Sequence, residues 1–279
     1  MTATTAHPAG PGSPAEAAGQ AALVLAERIA DGRVLRLIVN APKANIYSMA
    51  VMAALGDALD AAASDPALKL VVLRGAGRHF SFGASVEEHR KDSAAAMLAS
   101  FHAFIRKVAA YPVPVAALVE GRCLGGAFEV ALACHLIFAS ETAVFACPEI
   151  KLGVFPPVLA ALGPVRLGSA LSEQLLLTGG ELDAAGAQRA GLLTALLAAD
   201  GDHEAAVVAW YETNFAPLSA LAIRQATRVS RRAGGVLDAL AGPLDLAERQ
   251  YVEELLVSHD GNEGIEAFLA RRPAVWKDR

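Results

Sequence analysis

The stretch Gly121-Arg-Cys-Leu-Gly-Gly-Ala-Phe-Glu129 sets a pair of glycines about one helical turn before a glutamate. We predict that a helix begins at about Gly125 and runs to about Ala133. The first turn of a helix presents unpaired N–H groups and the positive end of the helix dipole, and glycine lets a ligand approach the backbone closely. A carbonyl oxygen that develops negative charge would be stabilised at this position.

A second glycine turn and a second glutamate extend this arrangement. The turn is Phe80-Ser-Phe-Gly-Ala-Ser85, which follows a short strand predicted at Leu70–Arg74, and Glu149 lies 20 residues after Glu129. A single glycine turn of this kind is common and does not by itself indicate a site. Together the pieces provide two turns with free backbone N–H groups and two carboxylates. Such a set can polarise a thioester carbonyl and move protons beside it.

Composition limits the class of protein. The chain has 279 residues, of which 54% are apolar and 19% charged, enough for one large domain or a domain with an appendage. The net charge of −5 argues against nucleic acid or an anionic membrane as the main partner. There is no uncharged apolar run of membrane-spanning length. The three cysteines form no CxxC pair, which suits a reducing compartment. We expect a soluble cytoplasmic protein.

Strands and helices alternate through most of the chain, which predicts an α/β core with layered sheets. The predicted strands are 23–29, 34–40, 70–74, 115–119 and 136–139, and the predicted helices between them are 48–63, 93–110 and 125–133. Asp31-Gly32 predicts a hairpin between the first two strands, Ser48 a cap for the first helix, and Gly121 the start of a loop. Helices then dominate, and Ala199-Asp-Gly-Asp202 resembles a linker. We therefore divide the chain into a disordered tail (1–20), a core (21–200) and an amphipathic helical region (201–279) whose apolar faces need the core or another subunit as partner.

These pieces, in this order, resemble the crotonase (enoyl-CoA hydratase/isomerase) superfamily over about residues 22–275. The matching segments are 40–45, 80–84, 121–129, 145–153 and 177–184. The resemblance implies a crotonase-like spiral of ββα units, with a trimerisation region at 201–279 and trimers that can pair into hexamers. It implies an acyl-CoA thioester as substrate. It implies no metal or redox cofactor, because coenzyme A arrives as part of the substrate.

The resemblance also assigns roles to residues. The N–H groups of Ala84 and Gly126 would form the oxyanion hole, and Glu129 and Glu149 fall on the acid/base positions of the hydratases. Having both glutamates favours hydration or dehydration over isomerisation, hydrolysis or decarboxylation. We assign to Glu129 the binding and activation of the water, and to Glu149 the transfer of the proton at the substrate carbon. Two alternatives stay open: the reverse assignment, and the binding of one water by both glutamates. Two carboxylates in one apolar cleft predict a raised pKa for one of them.

Further residues are expected to contact the substrate. They are Lys43 and Ala44 on the coenzyme A side, and Phe82, Gly83, Ser85, Gly125, Phe155 and Val158 around the thioester and acyl group. Two of these mark departures from the family pattern. Ser85 replaces a common aspartate, which we interpret as a structural difference. Val154-Phe-Pro-Pro-Val158 replaces a glycine-rich run, which predicts a stiffer acyl pocket lined by Phe155 and Val158.

Two segments, 80–89 and 152–157, most resemble the subgroup that hydrates cyclohexa-1,5-diene-1-carbonyl-CoA, a cyclic substrate. Three alternatives remain open: a hydratase for an open-chain or branched enoyl-CoA such as methylglutaconyl-CoA, an enoyl-CoA isomerase, and a non-catalytic acyl-CoA-binding protein. His79 and His89 flank the first glycine turn. Because no second metal ligand stands at a suitable spacing, we interpret them as hydrogen-bonded or surface histidines.

Overall fold

The computed structural model describes residues 22–41 and 43–279, so the tail predicted at 1–20 lies outside the described residues. The strands are β1 (Val24–Ile29), β2 (Val34–Val39), β3 (Leu70–Gly75), β4 (Val115–Val119), β5 (Arg122–Leu124), β6 (Leu136–Ser140), β7 (Val144–Ala146), β8 (Glu181–Asp183) and β9 (Ala195–Leu197). The helices are α1 (Met49–Ala63), α2 (Ala94–Ala109), α3 (Gly126–Ala133), α4 (Pro157–Leu167), α5 (Ser169–Thr178), α6 (Ala184–Arg189), α7 (His203–Asn214), α8 (Ala220–Ala233), α9 (Val236–Ala239), α10 (Gly242–Gln250) and α11 (Asp260–Leu269).

The larger sheet has the strand order β1-β2-β3-β4-β6-β9. β1 and β2 form the antiparallel hairpin predicted from Asp31-Gly32, and the remaining neighbours are parallel. Alternate residues face two separate cores: Val71 and Leu73 face one core, while Leu70 and Val72 face the other. Because both faces are covered, these strands are apolar throughout, as parallel sheets require.

The smaller sheet, β5-β7-β8, is absent from the sequence prediction, which had a loop after Gly121. Each of its strands has three residues, too few to show a period of two. Its pairing matters for the site, because β5 runs parallel to β7 with Leu124 opposite Ala146. The N–H of Gly125 then donates to the carbonyl of Ala146 at 2.7 Å. This hydrogen bond joins the segment that leads to Glu129 to the segment that leads to Glu149.

Helix α3 is the centre of the molecule, and all eight of its residues are buried. Gly125 precedes it with φ 52° and ψ −133°, a conformation in which a side chain would be strained. The other predicted helices are also present, with ends within a few residues of the expected ones. Helix α1 has the predicted cap, since the Ser48 side chain accepts a hydrogen bond from the N–H of Val51.

The helices after residue 200 pack on the core. Helix α7 covers the second face of the larger sheet through Val207 and Tyr211, α10 contacts α4, and α11 contacts the 3-10 turn at Pro148–Leu152. The predicted division near residue 200 stays a prediction. In the described ranges, no helix combines the length and apolarity needed to cross a membrane.

Candidate active site

The two glycine turns lie side by side. A β-carbon placed on Gly126 would stand 3.3 Å from that of Ala84, and one placed on Gly83 would stand 2.9 Å from the carbonyl oxygen of Leu124. Gly83 also has φ 107°, so its position requires glycine. Neither the N–H of Ala84 nor that of Gly126 donates a hydrogen bond within residues 22–41 and 43–279. The fold thus brings two free backbone donors to one place.

Glu129 stands in the first turn of α3 and is 3% exposed. Its Oε1 accepts hydrogen bonds from the N–H groups of Val158 at 2.7 Å and Leu159 at 2.9 Å. These donors are in the first turn of α4, where the positive end of the helix dipole also favours a negative charge. Burial raises the pKa of Glu129, and the two hydrogen bonds oppose this rise.

Glu149 belongs to the 3-10 turn at Pro148–Leu152 and approaches the backbone of Gly125. A β-carbon on Gly125 would be 2.6 Å from Glu149 Oε1. Oε2 is buried and has no hydrogen-bond partner in the described part of the chain. Burial, and then the charge of Glu129, raise the pKa of Glu149.

The two carboxyl groups are therefore unequal. Glu129 has two backbone donors that stabilise its ionised form. Glu149 Oε2 has no donor among the described residues, and only a hydrogen bond with the backbone of Glu149 itself opposes the rise of its pKa. Since like charges in a buried site disfavour double ionisation, Glu149 is the group that retains a proton and Glu129 the group that carries the negative charge. This pairing of one acid with one base suits proton transfer at neutral pH.

A cavity of about 80 Å³ opens beside Glu149 and the two glycine turns. Its wall consists of Phe82, Gly83, Ala84, Val86, His89, Gly125, Pro148, Glu149, Leu152, Val154 and Ile265. The lining is mostly apolar. His89 is held by a 2.6 Å contact between its Nδ1 and the carbonyl oxygen of Ser85, and burial lowers its pKa. A neutral His89 donates through Nδ1 to that carbonyl.

The residues predicted to contact the substrate occupy different positions. Lys43 is exposed, and Ala44 accepts a hydrogen bond from Phe82 at 3.0 Å, which anchors the first glycine turn. The Ser85 hydroxyl lies 3.2 Å from Glu87 Oε2 and accepts from the N–H of Glu88 at 3.4 Å. These bonds hold the 3-10 turn at Glu87–His89.

The two apolar residues predicted to line the acyl pocket lie outside the cavity wall described above. Phe155 packs edge-on against Tyr251, with ring centres 5.5 Å apart, and the side chain of Val158 is fully buried. Leu152 and Val154, two neighbours in the same segment, line the cavity instead. Val158 still serves the site through its N–H, which holds Glu129.

Sequence reasoning missed Leu159, Tyr251 and Ile265. The sequence could have indicated Leu159. Proline is favoured at the first position of a helix, and α4 begins at Pro157. The free N–H groups that can bind an anion therefore belong to the residues just after Pro157. Tyr251 and Ile265 come from the C-terminal helices. No motif marks them, because their positions depend on how those helices pack on α4 and on the turn at Pro148–Leu152.

The α/β fold, and a site in which two free N–H groups lie beside two buried carboxyl groups, fit the crotonase class expected from the sequence. A family model described as enoyl-CoA hydratase/isomerase matches residues 30–279. The crystal structure of an enoyl-CoA hydratase from Mycobacterium avium subsp. paratuberculosis K-10 has a TM-score of 0.79 at 30% identity, covering 92% of this chain and 99% of that one.

Similar sequences are named as hydratases. The chain is 44% identical over 249 residues to the cyclohexa-1,5-dienecarbonyl-CoA hydratase of Thauera aromatica, covering 89% of this chain and 95% of that protein. It is 34% identical over 251 residues to the 2,3-dehydroadipyl-CoA hydratase of Escherichia coli (strain K12), covering 88% and 96%. The chain belongs to the enoyl-CoA hydratase/isomerase family and is a hydro-lyase of the enoyl-CoA hydratase type. The resemblance and fold class expected from the sequence are confirmed.

Proposed function

We propose that this enzyme reversibly hydrates a conjugated alicyclic acyl-CoA, cyclohexa-1,5-diene-1-carbonyl-CoA. The observation that carries the proposal is the unequal pair of buried carboxyl groups, Glu129 and Glu149, beside two free backbone donors. The relative that is 44% identical and is named for this substrate supports the cyclic acyl group. The mostly apolar cavity beside Glu149 suits a hydrocarbon ring.

The mechanism assigns each group one task. The N–H groups of Ala84 and Gly126 hold the thioester oxygen, which becomes an enolate oxygen during the reaction. Glu129 takes a proton from water as the water oxygen bonds to the substrate carbon, and the electron pair moves into the enolate. Glu149 then delivers its proton to carbon. After release, the proton on Glu129 is lost and Glu149 is protonated again. Dehydration runs the same steps backwards.

Binding of coenzyme A is assigned to the loop before α1. Lys43 is an exposed cation there and suits a phosphate group, while Ala44 and Phe82 hold the adjoining glycine turn in place. We also propose that residues 201–279 assemble the subunits into a trimer or hexamer. Leu221 and Val229 on α8 are 67% and 64% exposed, so the described part of the chain leaves them uncovered.

The test is a mass-spectrometric assay of wild-type enzyme with cyclohexa-1,5-diene-1-carbonyl-CoA, crotonyl-CoA and methylglutaconyl-CoA. We expect the cyclic diene to gain one water and to be hydrated much faster than either open-chain thioester. Preference for crotonyl-CoA or methylglutaconyl-CoA would overturn the cyclic assignment.

The second candidate, an open-chain substrate, has the support of the 34% identical 2,3-dehydroadipyl-CoA hydratase. A shifted double bond without water gain would indicate an isomerase, and binding without turnover a non-catalytic protein.

A further inference from the structure

Tyr251 has a buried hydroxyl group that the fold does not use. The residue begins the π-helical turn Tyr251–Leu255 after α10 and is 1% exposed. Its hydroxyl has no hydrogen-bond partner in residues 22–41 and 43–279. Leaving a buried polar group unpaired is costly, so nearly all such groups are paired and each exception needs an explanation. Single π-helical turns are themselves frequent at functional sites.

The position of Tyr251 relates it to the two glutamates. Its ring packs against Phe155, 5.5 Å away between centres. Phe155 lies two residues before Pro157, where α4 begins, and the N–H groups in the first turn of α4 hold Glu129. Burial, then the charges of Glu149 and Glu129, raise the pKa of Tyr251 far above its ordinary value. The hydroxyl therefore keeps its proton and is available as a donor. Glu149 Oε2 is a second buried atom without a partner in the described part of the chain.

Two other tyrosines show what is particular to Tyr251. The hydroxyl of Tyr111 donates to the carbonyl of Leu59 at 2.7 Å and so has an ordinary structural role. The hydroxyl of Tyr47 is buried and, among the described residues, unpaired as well, but the titratable groups near it are the thiols of Cys134 and Cys123 and not carboxyl groups. Tyr251 combines an unpaired donor with the neighbourhood of both carboxyl groups.

We propose that Tyr251 is a third catalytic residue, whose hydroxyl donates a hydrogen bond to the oxygen of the water that adds to the substrate. The inference rests on the proposed hydration. A water oxygen has two lone pairs. Tyr251 fixes one lone pair, Glu129 takes a proton, and the second lone pair is directed at the substrate carbon. In the dehydration direction, the same hydroxyl stabilises the oxygen that leaves.

The experiment compares Tyr251→Phe with wild type and with Tyr111→Phe. Tyr251→Phe removes one oxygen and keeps the ring that packs on Phe155. We expect kcat to fall roughly 10- to 100-fold, with little change in KM, because the water is no longer held in its reactive orientation. The Tm should stay the same or rise, since no hydrogen bond between described residues is lost. Tyr111→Phe should lower Tm by a few degrees and leave kcat unchanged.

Each other result overturns the inference. A kcat for Tyr251→Phe equal to that of wild type would show that the hydroxyl is not used in the reaction. A fall in Tm like that of Tyr111→Phe would show that the hydroxyl has a structural partner. The comparison uses whichever enoyl-CoA the wild type hydrates. A wrong assignment of the cyclic substrate is therefore seen in the wild type alone, separately from the effect of Tyr251→Phe.

Discussion

Glu149 and Gly125 depend on each other: a β-carbon at residue 125 would stand 2.6 Å from Glu149 Oε1. The glutamate can occupy its place because the glycine has no side chain, and Gly125 also has φ 52°. The pairing of β5 with β7 brings together the two segments that lead into these residues. Position 125 therefore requires glycine for two reasons: its backbone conformation, and the space that the Glu149 carboxyl group occupies.

The variant Gly125→Ala should lose hydration activity by about 100-fold or more, because the new methyl group displaces Glu149. The matched control is Gly168→Ala. Gly168 also has positive φ, 77°, but a β-carbon there would meet no atom of the described residues within 4 Å. The control should lose about 1 kcal/mol of stability and keep its kcat. Steady-state kinetics and urea unfolding measure both effects, and equal kcat values for the two variants would contradict the spatial role of Gly125.

The pH dependence of kcat/KM should be bell-shaped, with both limbs well above the range of ordinary glutamates. Burial raises the pKa of Glu129 and of Glu149. Activity falls at low pH as Glu129, the base, gains a proton, and it falls at high pH as Glu149, the acid, loses one. Rates from about pH 4 to about pH 10 measure this. A single limb in the ordinary glutamate range, about pH 4 to 5, would mean that neither group is perturbed.

Stability should decrease as the pH rises through neutrality. A carboxyl group whose pKa is raised in the folded state binds more protons folded than unfolded between the two pKa values. Its contribution is fully present below the unfolded pKa and is lost as the pH rises through the folded pKa. A tenfold difference in proton affinity between the two states corresponds to about 1.4 kcal/mol. Urea midpoints at about pH 5, 7 and 9 should therefore fall for wild type and fall less for Glu149→Gln. Identical slopes would show that the pKa of Glu149 is the same in both states.

Assembly should depend on the exposed face of α8. Replacing Leu221, in the first turn of α8, by Glu puts a charge on that face and should yield monomers, because a buried contact would have to accommodate an unpaired carboxylate. Leu177 on α5 is 69% exposed, and Leu177→Glu is the control that should leave assembly unchanged. Sedimentation velocity distinguishes the species. A monomeric wild type, or an assembled Leu221→Glu, would contradict the role given to α8.

The local signals in the sequence predicted the larger sheet well. A few neighbouring residues are enough to predict an apolar strand such as Val115–Val119 or a turn such as Asp31-Gly32. In the same way, Ser48 alone indicates where α1 begins. The smaller sheet escaped prediction, because a strand of three residues such as Val144–Ala146 shows no period. Its existence depends on pairing between segments far apart in the chain.

The site was predictable where motifs carry the chemistry. Gly126 and Glu129 lie in one motif, and the spacing to Glu149 completes the pair of carboxyl groups. The inequality of the pair was not predictable, because it arises from the N–H groups of Val158 and Leu159 at the start of a separate helix. Tyr251 was missed for the same reason: its contact with Phe155, near the start of α4, is a result of tertiary packing.

The joint role of Glu129 and Glu149 is measured with cyclohexa-1,5-diene-1-carbonyl-CoA in water enriched in oxygen-18, using wild type, Glu129→Gln and Glu149→Gln. We predict one labelled oxygen in the wild-type product and a rate lower by about 100- to 10,000-fold in each variant, since each loses one proton-transfer group. Both variants should remain folded by circular dichroism. Label incorporation at the wild-type rate in either variant would contradict the claim that the two glutamates share the hydration.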